Sequence, residues 1–229
     1  EANFDKFTTP GTYKLQVTEN GGPQMSEEFV IADNALAANT LKSVMDYFYK
    51  DRAANGTIMG WDASVKVYGK DGVTRNVQGG WYDASGDVSK YLSHLSYANY
   101  LNPQQIPLTV WTLSFTAQRI PAMLKANPSS ATAAAEAVYG ADFLLRMLDE
   151  SGFFYMTVFD NWGMGSRYLC AFSGSDGVKS ASYQTAFREG GGMAIAALAR
   201  ASTLGVKGDS TSEQYLAGAK RAFEHLQGK

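Results

Sequence analysis

Two hydrophobic periods divide the chain. Over residues 1–31 apolar and polar positions alternate: Tyr13, Leu15 and Val17 interleave with Thr12, Lys14 and Gln16, the two-residue period of a half-buried strand. Asn20-Gly21-Gly22-Pro23 marks a turn, and Glu28-Phe29-Val30-Ile31 resumes the strand pattern. From Asp33 the period lengthens. Asp33 or Asn34 can cap a helix in which Leu41, Val44, Met45 and Phe48 form one stripe at three-four spacing, with Asn55-Gly56 as its stop. Residues 56–82 then read as a loop containing one strand-like piece, Val65-Lys66-Val67-Tyr68, and a long connection of this kind is usually functional.

Beyond residue 87 the pattern predicts successive helices. Leu92 to Tyr100 fits no single period, and Asn102-Pro103 closes it. Pro107 opens a helix to about Ile120 whose Leu108, Trp111, Leu113 and Phe115 lie on more than one side, as in an interior helix with Trp111 in the core. Thr132 caps the next, with Val138, Ala141, Leu144, Leu145 and Leu148 as its stripe, and residues 151–182 read as a second long loop rich in rings and glycine. Two helices complete the chain. One spans Ser182 to Leu204; the other follows the capping box Ser210-Thr211-Ser212-Glu213 and turns Tyr215, Leu216, Ala219, Phe223 and Leu226 inward. Helices joined by alternating long and short connections, without strand partners, predict antiparallel helical hairpins.

Composition narrows the function class. A net charge of −2 gives no support to nucleic-acid binding or to an anionic membrane surface, and no apolar run approaches the ~20 residues of a membrane span. The one cysteine, Cys170, excludes an internal disulfide and leaves the compartment open, with the cytoplasm slightly favoured over the periplasm or secretion. His94 and His225 stand apart from each other and from any cysteine cluster, so no zinc site is expected. Gly190-Gly191-Gly192 lacks the Lys-Ser/Thr of a phosphate loop and reads as close helix packing.

The chemistry concentrates in Gly79-Gly80-Trp81-Tyr82-Asp83-Ala84-Ser85-Gly86-Asp87. Two carboxylates lie four residues apart, and no basic residue stands between Gln78 and Val88 to pair with them. Aspartates beside glycines also serve as ordinary turn formers, and a carboxylate pair can hold a structural calcium ion. Neighbouring acids flanked by rings are equally the equipment for general-base activation of a water that attacks a sugar.

This string, with Val88-Ser89-Lys90-Tyr91 after it, resembles the G-G-W/Y-x-D-A-G-D-x-x-K-Y/F signature of glycoside hydrolase family 9, the cellulase and endoglucanase family, apart from Ser85, an extra residue between the acids. Ala141-Asp142-Phe143-Leu144-Leu145-Arg146-Met147 and the small-residue run from Arg188 to Ala201 resemble further helices of that family. The resemblance implies a mainly α protein: part of an (α/α)6 barrel over residues 33–229, preceded over 1–32 by the last strands of an immunoglobulin-like β-sandwich. It implies an internal fragment, nearest the bacterial exo-glucosaminidase-like branch. The activity implied is inverting hydrolysis of β-linked glucose or glucosamine oligosaccharides, endoglucanase-related or exo-β-glucosaminidase in kind.

Carried over, Asp87 is the base and Asp83 its partner, with the inserted Ser85 leaving an exchange of roles open. Trp81 and Tyr82 flank the acids, one of them facing the cleft, and Trp162 and Tyr168 fall where the family places substrate-facing rings. No cofactor is required. The family's general acid is a glutamate further along the barrel, and none here has the matching context; Glu189 beside Arg188 reads as a helix-end residue. The partners implied are the oligosaccharide and the remainder of the same enzyme chain. A carbohydrate-binding or regulatory module without turnover is the alternative reading.

Overall fold

The computed structural model describes residues 3–19, 21–82, 88–93, 105–163 and 166–228. Strand β1 (Gly11–Tyr13) pairs antiparallel with β4 (Phe29–Ile31), and β2 (Gln16–Glu19) pairs with β3 (Gly22–Met25). The expected single strand through Tyr13, Leu15 and Val17 is thus two strands with different partners. Leu15 and Val17 remain 42% and 55% exposed, so the alternation does not mark a buried face here. The rings of Phe4, Phe7, Tyr13 and Phe29 cluster instead.

Helix α1 (Ala35–Lys50) buries Met45 and leans Leu41 and Phe48 on the core, while Val44 lies outside that stripe. It ends at Lys50, five residues before the predicted stop. Asn55 instead begins a second helix, α2 (Gly56–Asp62), its side chain accepting the Thr57 N–H. Asparagine caps a helix start as readily as it ends one, and seven residues with only Asp62 buried offer no apolar stripe to read.

The helical core is built from α3 (Ile106–Arg119), α5 (Ala133–Met147), α6 (Gly191–Ala201) and α7 (Ser212–Gln227), with a short α4 (Pro121–Ala126) after α3. Helix α3 packs on α5 and α6, and α6 on α7. Small residues allow close approach: Ala137, Ala141, Ala194, Ala197, Ala201, Ala219 and Ala222 are all buried between Val110, Leu113, Leu144, Leu198 and Tyr215. Thr132 caps α5 as predicted, accepting the Ala135 N–H. Helix α6 starts nine residues later than expected, after a 3-10 turn (Phe187–Glu189) and Gly190 at φ 101°. The capping box of α7 is Thr211 with Gln214, one residue on from the predicted one.

Two inward assignments are corrected. Trp111 is half-buried, stacked on Phe115 with the Arg200 guanidinium 4.6 Å above its ring. Leu216 and Phe223 of α7 are 40% and 46% exposed, and Leu108 and Phe115 of α3 are 36% and 40% exposed. These helices carry a second apolar row.

The stretch 151–182, read as a loop, carries three strands of a sheet. β8 (Thr157–Phe159), β9 (Tyr168–Ser173) and β10 (Val178–Ser180) join β5 (Val65–Val67), β6 (Thr74–Arg75) and β7 (Lys90–Tyr91) in the order β6-β5-β9-β8-β7, with β10 also on β9. Each strand is too short to show a period, yet tertiary contact buries Val158, Phe159, Leu169 and Cys170 completely.

Candidate active site

The signature is anchored at its start. Gly79 and Gly80 take φ of 90° and 74°, a left-handed backbone that glycine adopts without strain, and a Cβ on Gly80 would lie 3.0 Å from the Phe143 ring. Trp81 is only 4% exposed; its indole N–H donates to the Phe48 carbonyl, and Phe48 and Tyr139 meet its ring edge-on. The Gly80 carbonyl accepts the Ala53 N–H, and Arg52, bonded to the buried Glu136, lies 4.2 Å from the Tyr139 ring. Trp81 is therefore an anchor. Tyr82 is half-buried, and both rings line a cavity of about 160 Å³ with Tyr47, Asp51, Tyr91, Gln105 and Thr109. Burial, then the Asp62 charge, raises the Tyr82 phenol pKa.

Asp83 and Asp87 lie outside the described residues, as does His94. The chain on both sides of the acids is described, and a buried ionic cluster lies beneath it. Asp62, at the end of α2, receives Arg167 Nε and Lys90 Nζ at 2.7 Å each. Lys90 Nζ also donates to the carbonyls of Val77 and Gly79 and sits 4.7 Å from the Phe143 ring. Arg167 Nη1 donates to the Val88 carbonyl at 2.7 Å and to Asp160 at 3.3 Å, and the Asp160 N–H donates to the Ser89 hydroxyl. Burial pulls the Lys90 pKa down to about 8, against the opposing pull of Asp62.

Asp160 also begins the turn that carries Trp162. Asn161 and Trp162 both adopt left-handed φ, at 57° and 56°, which is costly for non-glycine residues. Lys179 donates to the Asn161 side chain, and the Trp162 ring stands edge-on against Phe159 and Phe172 while staying 40% exposed. Tyr168 is half-buried against Tyr68, one strand across, with Lys179 5.7 Å from its ring. The contacts of Asp160 with Ser89 and of Arg167 with Val88 bring this loop to the exit of the acid segment. Glu189 is a capping residue, its carboxylate accepting the Ala186 N–H. Among the described residues no three His, Cys, Asp or Glu side chains gather as metal ligands.

Asp62, Arg167 and Asp160 are the site residues that the sequence reading missed. They lie in stretches read as loops and meet only through the sheet. Lys90 was visible inside the signature, but nothing in its spacing indicates that it turns inward.

The family model for glycosyl hydrolase family 9 matches residues 38–229, and the chain belongs to that family. Among solved structures it is similar to a metagenome-derived glycoside hydrolase family 9 endoglucanase, at 21% identity and a TM-score of 0.66, covering 100% of this chain and 42% of that one. It is similar also to the family 9 endoglucanase J30 (19% identity, TM-score 0.64, 99% of this chain and 44% of that one). A Zn-binding triple mutant of J30 matches with the same coverage, at 17% identity and a TM-score of 0.65. The chain thus spans less than half the length of these structures. No curated protein matches it.

Proposed function

We propose that this chain carries the water-activating part of an inverting glycoside hydrolase acting on β-linked glucose or glucosamine oligosaccharides. The observation that carries the reading is the signature from Gly79 to Tyr91, which lies within the family 9 match and is tied to the fold at both ends. Endoglucanase activity, named for the similar solved structures, is the first substrate class to test. Asp87 is the base that takes a proton from the attacking water, and Asp83 holds that water. Like charges side by side push one pKa up, which separates the two roles.

An inverting site also needs a carboxylic acid ~6.5–9.5 Å from the base to protonate the leaving oxygen. That acid is assigned to a glutamate outside residues 1–229. Half-buried Tyr82 and exposed Trp162 supply sugar-stacking faces, with Tyr168 as a further ring. Residues 1–32 are read as the end of an immunoglobulin-like domain.

The test is product analysis. The full-length enzyme should convert cello-oligosaccharides or chitosan oligosaccharides to products whose new anomeric centre is inverted, followed by proton NMR. Asp87→Ala should remove ~10²-fold or more of kcat, the scale of a positioned base, and Asp83→Ala a comparable or smaller factor. Residues 1–229 alone should show background hydrolysis. Saturable sugar binding without turnover in the full-length protein would instead establish the binding-module reading. Loss of melting temperature on chelation, with both Asp variants still active, would assign the two acids to calcium.

A further inference from the structure

The buried ionic cluster bonds to the backbone on both sides of residues 83–87. On the entering side, Lys90 Nζ donates to the carbonyls of Val77 at 2.5 Å and Gly79 at 2.8 Å. On the leaving side, Arg167 Nη1 donates to the Val88 carbonyl at 2.7 Å. Asp62 joins the two cations. Lys90 belongs to the leaving side yet reaches back to the entering one, so the cluster ties Val77 and Gly79 to Val88.

We infer that Lys90, Arg167 and Asp62 form a buried clamp that positions the acid segment, acting as positioning residues and not as catalytic ones. The inference rests on the hydrolase reading above.

The chemistry of the cluster supports that role over simple stabilisation. Lys90, Asp62 and Arg167 are at most 8% exposed, and ion pairs so buried gain little over apolar packing of the same volume, because desolvation offsets their attraction. What they supply is direction. An ammonium has three donors, and Lys90 uses two of them on carbonyls of the entering strand while its charge pairs with Asp62 Oδ2 at 2.7 Å. The guanidinium fork of Arg167 divides between Asp62, Asp160 and the leaving strand in fixed geometry. A methionine at position 90 would fill the volume and leave the Gly79 carbonyl without this donor. Catalysis is sensitive to that kind of loosening, since a displacement of about 1 Å can cost ~10²-fold in rate.

The test removes the clamp without stranding a charge. The double variant Lys90→Met/Asp62→Asn keeps the Arg167–Asp160 pair and the charge balance. Circular dichroism should show a cooperative melt. In this chain, carboxyl-carbon NMR of labelled aspartate should show Asp83 and Asp87 titrating as a coupled pair, and in the double variant as two ordinary, independent carboxylates. In the full-length enzyme the same variant should lose ~10²-fold in kcat with KM within a few-fold. If the double variant does not melt cooperatively, Arg167→Lys, which keeps the charge and loses the fork, should give the same kcat loss.

Wild-type kcat and wild-type carboxyl titration in a folded variant would overturn the clamp while leaving the hydrolase reading intact. If instead the wild-type enzyme hydrolyses no β-glucan or chitosan oligosaccharide, the hydrolase reading fails, and the carboxyl titrations alone decide whether the cluster orders the segment.

Discussion

At the scale of single residues, burial has set the chemistry of this molecule more than charge has. Cys170 is fully buried in β9, and burial pushes its thiol pKa up to about 12 although Lys179 pulls the other way. In the unfolded chain a cysteine ionises near ~8.5. The folded state therefore holds its proton over an interval where the unfolded state has released it. Stability from this group is complete below about 8.5 and falls as pH rises toward 12. Lys90 acts with the opposite sign. Its pKa is lowered to about 8, so the unfolded chain binds more protons between there and the ordinary lysine value, and stability rises with pH across that span. The two slopes overlap, so the variant Cys170→Ala is needed to separate them. Urea midpoints measured from pH 8 to 10 should fall more steeply with pH in the wild type than in Cys170→Ala. Parallel lines would show that the thiol is not held protonated. The native thiol should also resist alkylation at pH 8 and react fully in denaturant.

Elements show where sequence patterns were legible and where they were not. Helix α5 was readable because its stripe is long and Thr132 caps it, α3 because Pro107 opens a run apolar on more than one side, and α7 because a capping box precedes its inward residues. Of the sheet's strands β5 was legible, in the strand-like Val65-Lys66-Val67-Tyr68, and the others were hidden. Each of β5 to β10 has six residues or fewer, their burial comes from partners far away in sequence, and glycines and aromatics between them imitate a loop. The signature aspartates were legible as a motif, while Asp62 and Arg167, 105 positions apart, could be joined only by the fold.

Glycine gives the element-scale prediction. Gly140 in α5 faces α3 and the signature: a Cβ there would lie 2.4 Å from Val110 and 2.5 Å from the Trp81 ring. Gly140→Ala gains up to ~1 kcal/mol of helix propensity and meets an overpacking cost of ~1–3 kcal/mol, so a net loss of about 1–2 kcal/mol is expected. Gly60 in α2 has nothing within 4 Å of its Cβ position, and Gly60→Ala should stabilise by about 0.5–1 kcal/mol. Thermal melts would read these as shifts of roughly 2–4 °C per kcal/mol, of opposite sign. A neutral Gly140→Ala would mean that Trp81 is not wedged between α3 and α5.

For the molecule as a whole, the open question is what covers the second apolar rows. Leu108 and Phe115 lie seven residues apart on α3, and Leu216 and Phe223 seven apart on α7, where Phe187 adds its ring to Phe223. Each pair is at least a third exposed although the opposite side of its helix is already buried in the core. Scattered apolar side chains need no explanation, but a row at helical spacing along one face of a helix is the kind of surface that packs on a partner. As a polypeptide of 229 residues, this chain should therefore associate as its concentration rises, seen as an increasing mean mass in sedimentation equilibrium. Leu216→Ser with Phe223→Ser removes one row at exposed positions, at little cost to the fold, and should shift the association to higher concentration. Further family 9 polypeptide supplied in the same chain should suppress it equally well, because the rows would then be covered within one molecule. A wild type that stays monomeric at every concentration, and binds no more of an apolar dye than the double variant, would show that these rows are ordinary surface.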